Sequence, residues 1–173
     1  MRSRTRMGGC AEHRAPLMKH LIHLSFIALA SVSFATHASA ARSISDLAEL
    51  TVLGPFRAQM NACSSLHAAQ AQEYASALNQ LSSRVGNSLA ALQSQRAAEL
   101  AADAPEALFL HQEGMANLYL AESQNLSSER CDFLAADIHT ISPAELDAIV
   151  SDVVGELLEA GKAYREGVER ATQ

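Results

Sequence analysis

The sequence predicts an all-α protein: an antiparallel bundle of three to four long helices with a short N-terminal helix in front. Three observations carry this. The composition is rich in Ala, poor in Gly and free of Trp, which suits helices and argues against a β-sandwich. Apolar residues recur at helical spacing along three segments, and no period-two run of strand-forming residues competes with them. Two cap patterns, Asp103-Ala104-Pro105-Glu106 and Ser142-Pro143-Ala144-Glu145, each precede such a segment and mark a helix start.

The chain opens on residues that stand apart from this bundle. Met18-Lys19-His20 supplies a short basic start, Leu21 to Phe34 an apolar run, and Ala38-Ser39-Ala40 a small-residue site. Together these make the three-part pattern of a secretory signal peptide over residues 18–40, cleaved after Ala40. The apolar run is short and interrupted by Ser, which disfavours a bilayer span. A retained membrane anchor is the alternative. Residues 1–17, Arg-rich and without apolar pattern, read as an upstream extension with translation starting at Met18; an unusually long basic region is the other reading. The expectation is an exported protein, periplasmic or secreted, without a membrane span after processing, whose mature part is one domain, residues 41–173.

Removing residues 1–40 leaves 8 basic against 18 acidic side chains, a net charge of −10. Such a chain is repelled by phosphate backbones and anionic lipid, so nucleic acid is excluded as a partner.

Taken in order, Ile44 to Leu53 forms one or two helical turns that Gly54-Pro55 brings to an end. From Phe56 a long helical pattern runs to about Ala102, with Tyr74, Leu78, Leu81, Val85 and Leu92 on one stripe. Asp103 caps the next segment, where Leu108, Met115, Tyr119, Leu126 and Phe133 share a face. Ser142 caps the last, and Leu146, Val150, Val153, Leu157, Ala160 and Tyr164 form a heptad-like seam. Each stripe needs a partner, which an antiparallel bundle provides.

Cys63 and Cys131 are the two cysteines beyond residue 40, and in an oxidising compartment they are expected to form a disulfide. A straight hairpin about Asp103 puts them roughly 18 Å out of register at 1.5 Å per residue, far beyond disulfide reach. Either the first long helix breaks, with Val85-Gly86-Asn87-Ser88 the expected place, or the bond joins two chains.

Catalytic and cofactor motifs are absent: there is no HExxH, GxSxG, P-loop, GxGxxG or EF-hand loop, and no CxxC or CxxCH. His67, His111 and His139 lie in separate segments, and His67, one turn from Cys63, reads as a histidine packed beside the disulfide. Asp132, Asp137 and His139 read as a solvated face, and Glu166 as an i, i+4 partner of Arg170. Asn125-Leu126-Ser127 fits the N-glycosylation pattern, but as a mid-helix coincidence. No catalytic residue, cofactor or metal ligand is expected.

Leu66-His67-Ala68-Ala69-Gln70-Ala71-Gln72, Ser88-Leu89-Ala90-Ala91-Leu92 and Ala102-Asp103-Ala104-Pro105-Glu106-Ala107-Leu108-Phe109-Leu110-His111-Gln112 resemble the phasins, amphipathic helical proteins that coat polyester granules. In that family a long Ala/Gln-rich helix leads through a D-P-x-E-like turn into a second helix. The resemblance spans about residues 66–112, Ala104 intervenes in the turn, and the signal peptide and cysteines depart from the family. It implies a helical fold with affinity for apolar surfaces. Gln59-Met60-Asn61-Ala62-Cys63 is also similar to small periplasmic lysozyme-inhibitor-like proteins, from which the lack of Trp departs.

The consecutive apolar residues Leu108-Phe109-Leu110 and Leu118-Tyr119-Leu120 point several ways around one helix, so part of that surface is expected to meet a protein partner, a second copy or an amphiphile. The expected function is binding without catalysis, the alternative being a small periplasmic inhibitor or immunity-type protein docking on a basic enzyme.

Overall fold

A computed structural model describes residues 42–173; the expected signal peptide, its site at Ala38 and Ala40, and the extension at 1–17 lie outside the described residues. The described part is all-helical. In chain order α1 spans Ile44–Leu66, α2 Ala71–Leu100 and α3 Glu106–Glu122; a 3-10 turn covers Ser123–Asn125, then α4 spans Ser128–Thr140 and α5 Pro143–Ala171.

Local chemistry starts most of these helices. Ser43 and Asp46 make a reciprocal capping box on α1: Ser43 Oγ accepts from the Asp46 amide at 3.1 Å while the Asp46 carboxylate accepts from the Ser43 amide at 2.8 Å. The backbone hydrogen bond from Ser43, followed by the one from its hydroxyl, holds the Asp46 carboxyl below the usual carboxylate range. Ser127 caps α4 through the Arg130 amide, and Ser142 caps α5 through the Glu145 amide, with Pro143 as first helical residue, as its motif predicts.

Three expectations about the elements are corrected. No short N-terminal helix ends at Gly54-Pro55; α1 continues through both for 23 residues. Proline disfavours helical backbone in the residue before it through a clash with that residue's Cβ, and Gly54 has none. The first long segment does break, but α2 runs unbroken through Gly86, and the interruption falls at residues 67–70. The Asp103 cap does not form: Pro105 precedes α3 without a side-chain cap bond, and residues 102–104 instead pair with the chain entering α1. There the Ile44 amide donates to Ala102 O and the Ala104 amide to Arg42 O, both at 2.9 Å.

The core sits where these helices meet. α1 contributes Ile44, Leu47, Leu53 and Met60, α2 Tyr74, Leu81, Val85 and Leu100, and α4 Leu134 and Ile138. α5 buries Leu146, Val150, Val153 and Leu157, the first four seam positions; Ala160 and Tyr164 are half-buried. Fully burying such a side chain stabilises the fold by roughly 1.5–3 kcal/mol before the cost of ordering it.

Cys63 and Cys131 are joined within the chain, their Cα atoms 5.7 Å apart. The register problem disappears because both arms of the expected hairpin are interrupted, one at 67–70 and the other at 123–127, and the two interruptions touch. His67 Nε2 lies 2.9 Å from Leu126 O. One turn into α2, the buried Tyr74 hydroxyl donates to Asp132 Oδ1 at 2.7 Å. Burial, reinforced by that hydrogen bond, raises the Tyr74 phenol above its ordinary value. Farther along, Arg84 donates to the carbonyls of Ile138, at 3.3 Å, and of Ile141, tying α2 to the end of α4.

Candidate functional site

α3 is the helix whose apolar residues least fit a single buried face. Leu108, Phe109 and Gln112 turn inward and are buried. The Arg42 guanidinium sits 4.0 Å over the Phe109 ring and bridges Glu113 at 3.1 Å and Glu106 at 3.6 Å, fastening the first turns of α3 to the start of the described chain. Farther on, Gly54 permits close approach of α1: a Cβ there would stand 3.6 Å from the Ala116 Cβ.

With that side engaged, the opposite side faces solvent. Leu110 is 53 % exposed, Leu118 58 % and Leu120 45 %. Leu110, Gly114 and Leu118 fall at i, i+4 and i+8 and so form one stripe along the helix, whereas Leu120, two residues beyond Leu118, lies on the far side of the helix from it. Gly114 has open space above it. Tyr119 is half-buried, its phenol raised by burial and then by the nearby Glu122 carboxylate. The expected interaction surface is thereby divided: Leu108 and Phe109 belong to the core and leave it, Tyr119 lies at its margin, and Leu110, Leu118 and Leu120 remain. Consecutive apolar residues could not show which of them turn inward; that depends on Arg42 and Gly54, both distant in sequence.

The charges that α3 itself carries are of one sign. Residues 97–129 contain six Asp or Glu and no Lys or Arg. Arg42 partners Glu106 and Glu113 from outside this stretch, whereas Glu122, one turn beyond Leu118, forms no ion pair among the described residues. Partial negative charge at the carboxyl end of α3 adds to that field.

A second solvent-facing element lies at the end of α5. Gly161 packs beside Pro105, a Cβ there standing 3.8 Å from the proline Cδ, and beyond it residues 162–173 are exposed except for the half-buried Tyr164. The seam continues here as Tyr164 and Val168, the latter 41 % exposed. Lys162, Arg165 and Arg170 alternate there with the exposed Glu166 and Glu169, and none of the three cations forms an ion pair among the described residues. The expected Glu166–Arg170 ion pair is replaced by a bond from Arg170 Nε to the Glu166 carbonyl at 3.1 Å.

The remaining sequence candidates do not converge. His67 serves the junction of the two interruptions, His111 is half-buried on α3 and His139 exposed on α4. Among the described residues no three His, Cys, Asp or Glu stand together as a metal site would require, and no helix is long and apolar enough to cross a membrane. Asn125 lies in the 3-10 turn and Ser127 is the α4 cap, so the Asn-Leu-Ser motif is not mid-helix. Phe133, expected on the stripe of Leu108, is instead 54 % exposed, with the Arg130 guanidinium 5.1 Å above its ring. No protein-family model matches the chain, and neither a curated protein nor a solved structure matches it.

Proposed function

We propose that this is an exported, acidic protein, an antiparallel helical bundle that acts by binding and performs no catalysis, and that the outer face of α3 is its contact surface. One observation carries the reading. Three leucines on a single 17-residue helix are each about half exposed, although the other helices turn their large apolar residues mostly inward. Leu110 and Leu118 share one stripe of that helix, and exposed apolar area gathered on one face marks contact sites in soluble proteins. A photo-cross-linking residue at Leu118, in the full chain expressed in its native envelope, tests it. A discrete adduct is expected there and none from the exposed, polar position Gln95 of α2. Absence of any adduct at Leu118 would remove the reading.

A second reading has its own support in the run of residues 97–129 without a cation, which suits docking on a basic enzyme. It expects the Leu118 adduct to contain an enzyme whose activity the purified protein abolishes. The phasin-like pattern favours an amphiphile surface instead, and expects the protein to partition onto apolar droplets.

A further inference from the structure

We infer that α4 is a strap locked down by the Cys63–Cys131 bond, so that the oxidation state of these two cysteines sets whether the apolar surface beneath it stays covered. The lock does not involve α3, and its test leaves that face untouched.

The way α4 is held sets it apart. Extended residues flank it on both sides, Leu126 and Ser127 (ψ 131° and 156°) before it, Ile141 and Ser142 (ψ 121° and 155°) after it. α5 closes on its own cap, from the Glu145 amide to Ser142, so α4 can swing away without unwinding its neighbour. α4 packs on α1 and α2, and its ties converge on residues 63–84. They run from Cys63 to Cys131, from His67 to Leu126 O, from Tyr74 to Asp132, and from Arg84 to the Ile138 and Ile141 carbonyls. Beneath the helix lie Cys63 and Tyr74, both fully buried.

These ties differ in kind. When α4 lifts, water takes over the partners of the polar ties, so each contributes only a small net hold. Apart from Cys131, α4 buries Leu134, Ala135 and Ile138. Water offers no substitute for the covalent bond, and Cys131, the fourth residue of α4, pins the first turn. With the bond closed, α4 leaves only as the bundle unfolds; with it open, α4 leaves ahead of the rest and uncovers Tyr74. A dithiol reductant makes the change. Its thiolate attacks one sulfur, forms a mixed disulfide and expels the other sulfur as a thiolate, which takes up a proton. The second thiol of the reductant then displaces the first sulfur, so two electrons pass to the protein and the reductant departs as a cyclic disulfide.

Hydrogen exchange read by mass spectrometry tests this on the full chain, purified as the cell delivers it, and on the same chain reduced in urea and refolded with dithiothreitol. In the oxidised chain the buried parts of α4 and α5 should be protected alike. In the reduced chain the protection of residues 131–138 should fall at least about tenfold further than that of residues 146–157. Cys63→Ala with Cys131→Ala should reproduce that pattern without any thiol. Labelling gives a second readout: iodoacetamide should modify Cys131 of the reduced chain with a much shallower urea dependence than global unfolding shows, because lifting a strap exposes little surface. An equal fall in α4 and α5, or α4 exchanging ahead of α5 while the bond is closed, overturns the inference. Labelling that follows the global urea slope, or loss of all helix content on reduction, overturns it as well.

Discussion

Replacing both Cys63 and Cys131 by Ala should cost about 4 kcal/mol of stability. The bond closes a stretch of 68 residues. In the chain-entropy description, cross-linking a loop of that size removes about 15 cal/mol/K from the denatured ensemble, or about 4 kcal/mol at 25 °C. Alanine avoids leaving two buried hydroxyls without partners, since both cysteines are fully buried. The native contacts near the bond stay available: His67 to Leu126 O, Tyr74 to Asp132, and Arg84 to the last carbonyls of α4. The variant should therefore fold to the same helix content while losing a large share of the roughly 5–15 kcal/mol typical of a domain. Urea titration followed by circular dichroism gives the comparison, and the slope should steepen because the uncross-linked denatured chain is more expanded. Hydrogen exchange should localise the earliest opening to α4, which the bond ties to α1. A loss below about 1 kcal/mol with an unchanged slope would refute the loop-closure reasoning. It would mean that the denatured chain keeps residues 63 and 131 close without the bond.

Four further outcomes follow from individual contacts. Pro55→Ala should stabilise the protein by about 1–3 kcal/mol, measured as a rise in urea midpoint, because an amide replaces the ring inside a continuous helix. Arg84→Ala should cost about 2 kcal/mol by removing charged donors from the Ile138 and Ile141 carbonyls, and Arg84→Lys should not restore it fully since the fork geometry is lost. Ser142→Ala should cost about 1 kcal/mol through the lost cap on α5. Tyr74 carries a phenol held above tyrosine's ordinary 10.0, so the unfolded chain loses its proton first. The contribution of Tyr74 is thus complete below that value and is lost as pH rises beyond it toward the folded value, and Tyr74→Phe should remove that part of the alkaline decline in urea midpoint.

Some elements are written locally and could be read locally. Ser142, Pro143 and Glu145 specify the start of α5 within four positions, and a heptad seam follows them. The interruption at 67–70 contains neither Gly nor Pro, and Leu66 through Gln70 favour helix on propensity. What stops α1 there lies across the fold: the bond to Cys131 and the contact of His67 with Leu126. Gly54-Pro55 misleads in the opposite sense, because the glycine that resembles a terminator lacks the Cβ that would clash with the proline ring, and the helix carries the cost of the missing amide. Legibility of the candidate surface divides in the same way. Leu110 and Leu118 share a face by helical periodicity, but exposure of that face follows from Arg42 and Gly54 holding the other one.

Arg42 and Ser43 pair with residues 102–104, and Gly161 packs on Pro105, so the chain enters the packed region and leaves it at one end. The junction of Cys63, His67, Leu126 and Cys131 lies near the other end of α1, about 28 Å along its axis. Such a region has the geometry of a cassette. It can be set into a host loop, or reopened elsewhere with entry and exit spliced together, without stretching any helix. Cargo fused before residue 42 and cargo fused after α5 would both start from the same end, leaving the cross-linked end unobstructed.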